Sequence, residues 1–191
     1  MKEKVKALIM DASKIRRVLD RMATEILERN RNLKKLVLIG VRTRGVPLAH
    51  RIARLIREKE NVDVRVGGMD ITRYRDDVAA GTARRKTLGT AIPFPIARRD
   101  VLLVDDVLFT GRTIRAAMDS LFDLGRADTI QLLVLIDRGH RELPVRADYV
   151  GKVLPTSRRE RVKVRLKEID KTDEVLITEA TDLRKGRGRK A

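Results

Sequence analysis

At 191 residues, 42% of them hydrophobic, the chain can bury one substantial core, and without cysteine it has neither a disulfide framework nor a thiolate metal site. Its 44 Lys and Arg against 27 Asp and Glu leave a net charge of +17, which favours polyanionic partners: phosphates, nucleotides or RNA. The absence of any bilayer-length apolar run or secretory signal, the two histidines and the 3% aromatic content argue against a membrane span, a histidine metal site and an RNA-stacking platform; a cytoplasmic protein is expected.

Residues 11–30 carry Ile15, Val18, Leu19, Met22, Ile26 and Leu27 at helical spacing. Arg16, Arg17, Asp20, Arg21, Thr24 and Glu28 fall on the opposite side, and Asp11 or Ser13 is placed to cap the start. Residues 36–41 are an unbroken apolar run, as a strand covered on both faces requires. Thr43-Arg44-Gly45 makes a tight connection to a helix that has Pro47 near its first turn and runs to about Glu60. Val62, Val64 and Val66 alternate, which predicts a strand extending to Met69 and Ile71. Residues 73–92 lack apolar periodicity and read either as a mobile loop or as a short hairpin. Val101–Val104 is the next buried strand, followed by a helix over 112–124 that Gly125 ends. A further apolar strand spans 130–136, and 149–153, 162–166 and 175–177 read as shorter ones. Strands alternating with helices predict an α/β fold with a mostly parallel sheet. One domain covers residues 1–182; the basic tail 183–191 is expected to be disordered.

The sharpest signal lies at residues 101–113. Four apolar residues, Val101, Leu102, Leu103 and Val104, end in two adjacent acids, Asp105 and Asp106; Val107, Leu108, Phe109, Thr110 and Gly111 form a turn, and Arg112 and Thr113 open a helix. Ligands of open α/β sheets bind beyond the carboxyl ends of strands. A turn that feeds a helix N-terminus directs backbone N–H groups and partial positive charge outward, which suits a phosphate. The acids repel a phosphate but accept hydroxyl hydrogen bonds well, so a ribose diol suits them. A phosphate and a diol on one sugar describe ribose 5-phosphate. The bland alternative is a strand end whose acids cap the next helix.

This stretch resembles the motif with which type I phosphoribosyltransferases bind 5-phosphoribosyl 1-pyrophosphate (PRPP). The resemblance implies that Asp105 and Asp106 hold the ribose 2′- and 3′-hydroxyls, and that Leu108–Thr113 hold the 5′-phosphate. Four other stretches are similar to a narrower family, the bifunctional pyrimidine-operon attenuators and uracil phosphoribosyltransferases: Arg16-Arg17, residues 40–49 around Thr43-Arg44-Gly45, Asp70–Asp77, and the run 136–152 containing Asp-Arg-Gly-His-Arg-Glu-Leu-Pro, followed by Pro155-Thr156-Ser157. The similarity spans roughly residues 8–178.

That family implies a type I phosphoribosyltransferase fold: a parallel sheet flanked by helices, with a flexible loop and a small hood formed largely by 137–170. It implies a pyrophosphate loop at Thr43, Arg44 and Gly45, often with a cis peptide, and a loop beginning at Arg73, Tyr74 and Arg75 that closes over PRPP. Asp105, Asp106 and Arg44 are the candidate catalytic residues, and Asp137, Arg138 and Val150 the candidates for reading the base. It further implies Mg²⁺ carried by PRPP rather than by a protein metal site, assembly as a homodimer or homotetramer, and binding to the leader of pyr mRNA with UMP or UTP as co-regulator. Candidate RNA contacts are Arg17, Arg21, Thr43, His140, Arg141, Arg146 and Lys152, and Arg141→Gln is expected to weaken RNA binding while sparing catalysis. Each basic residue has a plainer alternative as part of a solvated face, as Asp137 and Arg138 have as an ion pair. Asp20 stands where the family usually has a small hydroxyl residue, Thr24 where it has a histidine, Phe109 a tyrosine and Val153 an asparagine. Two other readings stay open: an RNA regulator that senses nucleotides without catalysis, and a purine phosphoribosyltransferase.

Overall fold

The computed structural model describes residues 3–72 and 90–180. The expectations for Arg73, Tyr74 and Arg75, and for the tail 183–191, lie outside the described residues. In chain order the elements are β1 Glu3–Met10, α1 Ala12–Arg29, β2 Leu36–Val41, α2 Gly45–Glu60, β3 Arg65–Met69, β4 Asp100–Leu108, α3 Arg112–Leu124, β5 Thr129–Asp137, β6 Tyr149–Val153, β7 Glu160–Arg165, α4 Lys167–Asp170 and β8 Glu174–Ala180.

Five strands form a parallel sheet in the order β3-β2-β4-β5-β6. Their near-continuous apolar sequences follow from burial on both faces. Leu36, Leu38, Leu102, Val104, Leu133 and Leu135 pack with Ile15, Leu19 and Ile26 of α1 and with Leu48, Ile52 and Ile56 of α2. The alternate residues Val37, Ile39, Val101, Leu103, Leu132 and Val134 pack with Ile114, Ala117 and Leu121 of α3. Each fully enclosed Val, Leu or Ile among them contributes roughly 1.5–3 kcal/mol. Asp11, rather than Ser13, caps α1: its carboxylate accepts from the Lys14 N–H at 2.7 Å. Where α1 ends, the buried Asn30 amide donates to Tyr149 Oη at 3.0 Å and exchanges hydrogen bonds with Gln131, so a satisfied polar knot ties the helix to β5 and β6.

A second, antiparallel sheet, β1-β8-β7, joins the two ends of the chain through pairs such as Val5↔Thr178 and Arg161↔Thr178. Nothing in the sequence reading anticipated β1 or the single turn α4. Two boundaries also differ from expectation. β3 starts at Arg65, so Val62 and Val64 precede it. β4 runs on through Asp105 and Asp106 to Leu108, because it pairs with β5 as far as Leu108↔Asp137. Ala91 pairs with Gly68 of β3 in a two-bond antiparallel bridge (2.8 and 2.9 Å).

Candidate active site

In a parallel sheet the strands all end at one edge, so β2, β4 and β5 deliver their following loops side by side. Gly40 of β2 lies in register with Val104 of β4. A Cβ on Gly45 would stand 2.2 Å from the Val104 carbonyl oxygen, so the main chain after β2 rests directly on β4. The loop between them and α2 holds Arg42, Thr43 and Arg44, with a cis peptide between Arg42 and Thr43. The loop after β4 turns at Gly111, whose φ of 94° lies in the left-handed region that glycine tolerates.

These two loops enter α2 and α3 through Arg44 and Gly111, and neither cap residue provides a side-chain acceptor. The Thr110 hydroxyl accepts from the Arg112 N–H at 3.4 Å; the cap residues themselves satisfy none of the first-turn N–H groups of α2 and α3, which face the sheet edge. That is an arrangement for anions, and there are two of them one strand apart.

The acids stand between. Asp105 is buried and its Oδ1 accepts from the Asp106 N–H at 2.8 Å. Burial pushes the Asp106 carboxyl above its ordinary value, against the opposing pull of the adjoining Asp105 and the positive charge of Arg44. Arg44 thus lies close enough to act on Asp106 electrostatically. Its guanidinium also grips Asp170 of α4 with both oxygens, at 2.8 and 3.2 Å. Two residues earlier, the Nε of Arg42 is buried without a hydrogen-bond acceptor.

The segment after β5 leans over the loop after β4. The Thr110 carbonyl accepts from the N–H groups of Glu142 and Leu143 at 2.9 and 3.1 Å, and Arg112 pairs with Glu142. Asp137 does not pair with Arg138. It accepts from the Gly139 N–H and from Arg141, and despite burial these hold its carboxyl below the usual value. Arg138, only 7% exposed, donates to Thr156 Oγ1, Ser157 O and Glu160 O, and lies 4.1 Å over the Phe109 ring. His140 meets the same ring edge-on at 6.0 Å. Phe109 is thus bracketed by two residues of the overlying segment.

Several expected site residues have other employment. Val101, Leu102, Leu103 and Val104 are fully enclosed and Leu108 nearly so; they build the strand and can offer no side chain to a ligand. Val107 packs on the core beside α1 and α2, and Val150 on the core beside α3. Among the expected RNA contacts, Arg21 donates to the carbonyls of Val150 and Gly151 and pairs with Glu25. Arg141 donates to the carbonyls of Phe109, Gly139 and Val145 as well as to Asp137, so it braces the site rather than standing free of it. Arg17, Thr43 and Arg146 are exposed, while His140 and Lys152 are half-buried. Lys59 neutralises Asp20 at 2.8 Å. Sequence reading missed Asp170, whose link to Arg44 spans 126 positions, and missed Arg42, which sits in plain view beside Thr43 and Arg44.

Among the described residues, no group of three or more His, Cys, Asp or Glu converges to hold a metal ion, and no helix is long and apolar enough to cross a membrane. The sequence matches the phosphoribosyl transferase domain over residues 8–168. It is 55% identical over 178 residues to the bifunctional protein PyrR of Deinococcus radiodurans, covering 93% of this chain and 97% of that one. The PyrR of Thermus aquaticus is 55% identical over 174 residues, covering 91% and 96%. Among solved structures, the hypoxanthine phosphoribosyltransferase of Trypanosoma cruzi superposes with a TM-score of 0.71 at 20% identity, covering 93% of this chain and 98% of that one. A hypoxanthine-guanine phosphoribosyltransferase of Bacillus anthracis gives 0.70 at 18%, covering 94% and 100%. The fold is that of the type I phosphoribosyltransferases, and the chain belongs to the PyrR family.

Proposed function

We infer that this protein transfers the phosphoribosyl group of PRPP to uracil, giving UMP and pyrophosphate, and that it regulates pyrimidine biosynthesis genes by binding the leader of pyr mRNA and attenuating transcription in response to UMP or UTP. The carrying observation is the meeting, at one sheet edge, of two helix N-termini without side-chain caps and of the Asp105–Asp106 pair between them. Full-length kinship with proteins named PyrR supports the pyrimidine reading over a purine one.

In this reading the N–H groups at the start of α3, with the hydroxyls of Thr110 and Thr113, take the 5′-phosphate. Asp105 and Asp106 accept from the ribose hydroxyls. The N–H groups at the start of α2 and the Arg44 guanidinium receive the pyrophosphate. The C1–oxygen bond to pyrophosphate breaks, C1 gains oxocarbenium character, and a bond to uracil N1 forms with loss of the N1 proton. No side-chain nucleophile is needed, and catalysis comes from holding the reactants in line and stabilising developing charge. Two adjacent carboxylates without a protein cage fit a cation that arrives already chelated by its ligand. Mg²⁺ carried by PRPP would face Asp105 and Asp106 and neutralise the leaving group.

Asp137 and Arg138 lie on the segment above the PRPP loop, as part of a hood that we take to span 137–170, and the domain to span 1–182. We take Arg17, Arg21, Thr43, Arg146 and Lys152 as the basic and hydroxyl groups that meet RNA phosphates, with the exposed Arg21 also tied to the Val150 and Gly151 carbonyls; the half-buried His140 and Arg141 support them. The protein would work in the cytoplasm as a homodimer or homotetramer.

The test is uracil-dependent release of pyrophosphate from PRPP with Mg²⁺. Absence of turnover at saturating PRPP would remove the enzymatic half. Binding of the cognate leader RNA, tightened by UMP, tests the regulatory half; an affinity indifferent to UMP would remove the co-regulator role.

A further inference from the structure

α4 has four residues, too few to hold themselves in place. Charge holds them against α2. Arg51 donates to both oxygens of Glu168 at 2.8 and 2.6 Å, and to both oxygens of Asp173 at 3.1 and 2.6 Å. Within the turn, Asp170 Oδ2 accepts from the Leu166 N–H at 3.0 Å. The Asp170 carboxylate is therefore fixed at its own end before it meets Arg44, and it meets Arg44 through the paired Nε–Nη2 edge that a guanidinium uses for bidentate recognition.

That edge also suits a diphosphate. Arg44 and Asp170 are 29% and 20% exposed, so their interaction is only partly screened. The same guanidinium is felt by Asp106 at the other side of the site. Arg44 thus sits between a permanent carboxylate behind it and the place where, on the reading given above, the pyrophosphate arrives. Arg51, seven residues further along α2, offers a contrast: two carboxylates, Glu168 and Asp173, are bound to it.

We propose that Asp170 is the resident counter-ion of Arg44, held there by the α4 clamp, and that it weakens the grip of Arg44 on pyrophosphate so that PRPP binds and product leaves without a trapped anion. The inference rests on the assignment of Arg44 to the pyrophosphate. It gives the antiparallel half of the molecule a part in the chemistry of the parallel half, because α4 lies between β7 and β8.

Calorimetric binding of Mg²⁺·PRPP, and separately of Mg²⁺·pyrophosphate, to the full chain tests it. Asp170→Asn keeps an oxygen for the Leu166 N–H and removes the charge. Both ligands should bind about two- to fivefold more tightly, the range of a partly exposed charge interaction. A device that merely oriented Arg44 gives the opposite sign, weaker binding, and that result overturns the proposal. Unchanged affinity overturns it too. Asp63→Asn, a change of the same charge at a 79% exposed side chain, should leave both affinities at the wild-type level, and an equal tightening there would show only bulk electrostatics. In an Arg44→Gln background, Asp170→Asn should have no effect. If Arg44→Gln itself leaves PRPP affinity unchanged, the assignment of Arg44 falls and takes the proposal with it. If Arg44→Gln weakens PRPP while Asp170→Asn tightens nothing, the proposal falls alone. Should Asp170→Asn fail to fold, Asp170→Ser gives the same readings.

Discussion

Two sets of carboxylates lie within reach of α2, and they are treated in opposite ways. Glu168 and Asp170 of α4 and Asp173 just beyond it each meet an arginine through hydrogen bonds, and all three are pulled below their ordinary pKa values despite burial. Asp106 at the end of β4 is pushed above its ordinary value by burial, which neither Asp105 nor Arg44 overcomes. The first set is matched by arginines, whereas the second, on the proposed reading, is held for a ligand. The difference separates acids already matched by arginine from acids assigned, on the proposed reading, to the substrate, and the sequence foreshadows it: Asp105 and Asp106 follow four apolar residues, whereas Asp170 stands in a mixed-charge run.

The strongest way to break that comparison is to neutralise the second set. Asp105→Asn with Asp106→Asn removes two charged acceptors for ribose hydroxyls, at roughly 1.5–3 kcal/mol each, so PRPP affinity should fall by about 10²- to 10⁴-fold while the melting temperature holds. A melting point that collapses together with the affinity would make those acids structural. The mirror experiment is Arg51→Met, which strands Glu168 and Asp173. We expect a stability loss of about 1–3 kcal/mol in chemical denaturation; an unchanged midpoint would show that the α4 clamp holds nothing.

Acid titration sharpens the contrast. The Asp106 carboxylate accepts from hydroxyls much more strongly when ionised, so PRPP binding weakens as pH falls through its folded pKa. Arg44 opposes the upward push of burial on that pKa. In Arg44→Gln the acid limb of PRPP binding should therefore move to higher pH, and a limb that stays in place would dissociate Asp106 from it. The α4 acids run the other way. With folded pKa values depressed, they contribute stability above the ordinary carboxylate range, and this is lost as pH falls through their folded values.

The smallest expected effect concerns RNA. Arg146 is exposed, whereas the donors of Arg141 are taken by three backbone carbonyls and Asp137. Arg141→Gln is thus expected to lower turnover as well as RNA affinity, contrary to what its sequence position suggests. Arg146→Gln should be the cleaner separation: turnover intact, and the slope of log affinity against log salt reduced by about one. A slope unaltered in Arg146→Gln would remove that residue from the interface.

The parallel half was legible because its signals are local. Residues 36–41 and 130–136 read as buried strands from their own composition, and the acids followed by Thr-Gly-Arg-Thr marked a loop and a helix start within a dozen residues. What stayed hidden depended on distant partners. β1 alternates Lys and apolar residues too weakly to stand out, and exists because β8, at the other end of the chain, accepts it. Asp170 looked like one acid in a mixed-charge run until Arg44, 126 positions away, was placed against it. Arg141 was expected to contact RNA because the family resemblance implies it, and its acceptors include backbone carbonyls that no side-chain pattern announces. The strand boundary at Val104 was set where hydrophobicity stopped, whereas the ladder to β5 carries β4 past the acids.

The contact between Gly45 and the Val104 carbonyl has a reach beyond its two residues. Because bare main chain touches bare main chain there, the span from one anion cradle to the other is fixed like the jaws of a caliper with no adjusting screw. Side-chain exchange around the rim can alter how firmly each end grips, but not the length of molecule that fits between them; lengthening that measure would require prising apart two neighbouring strands at the centre of the sheet.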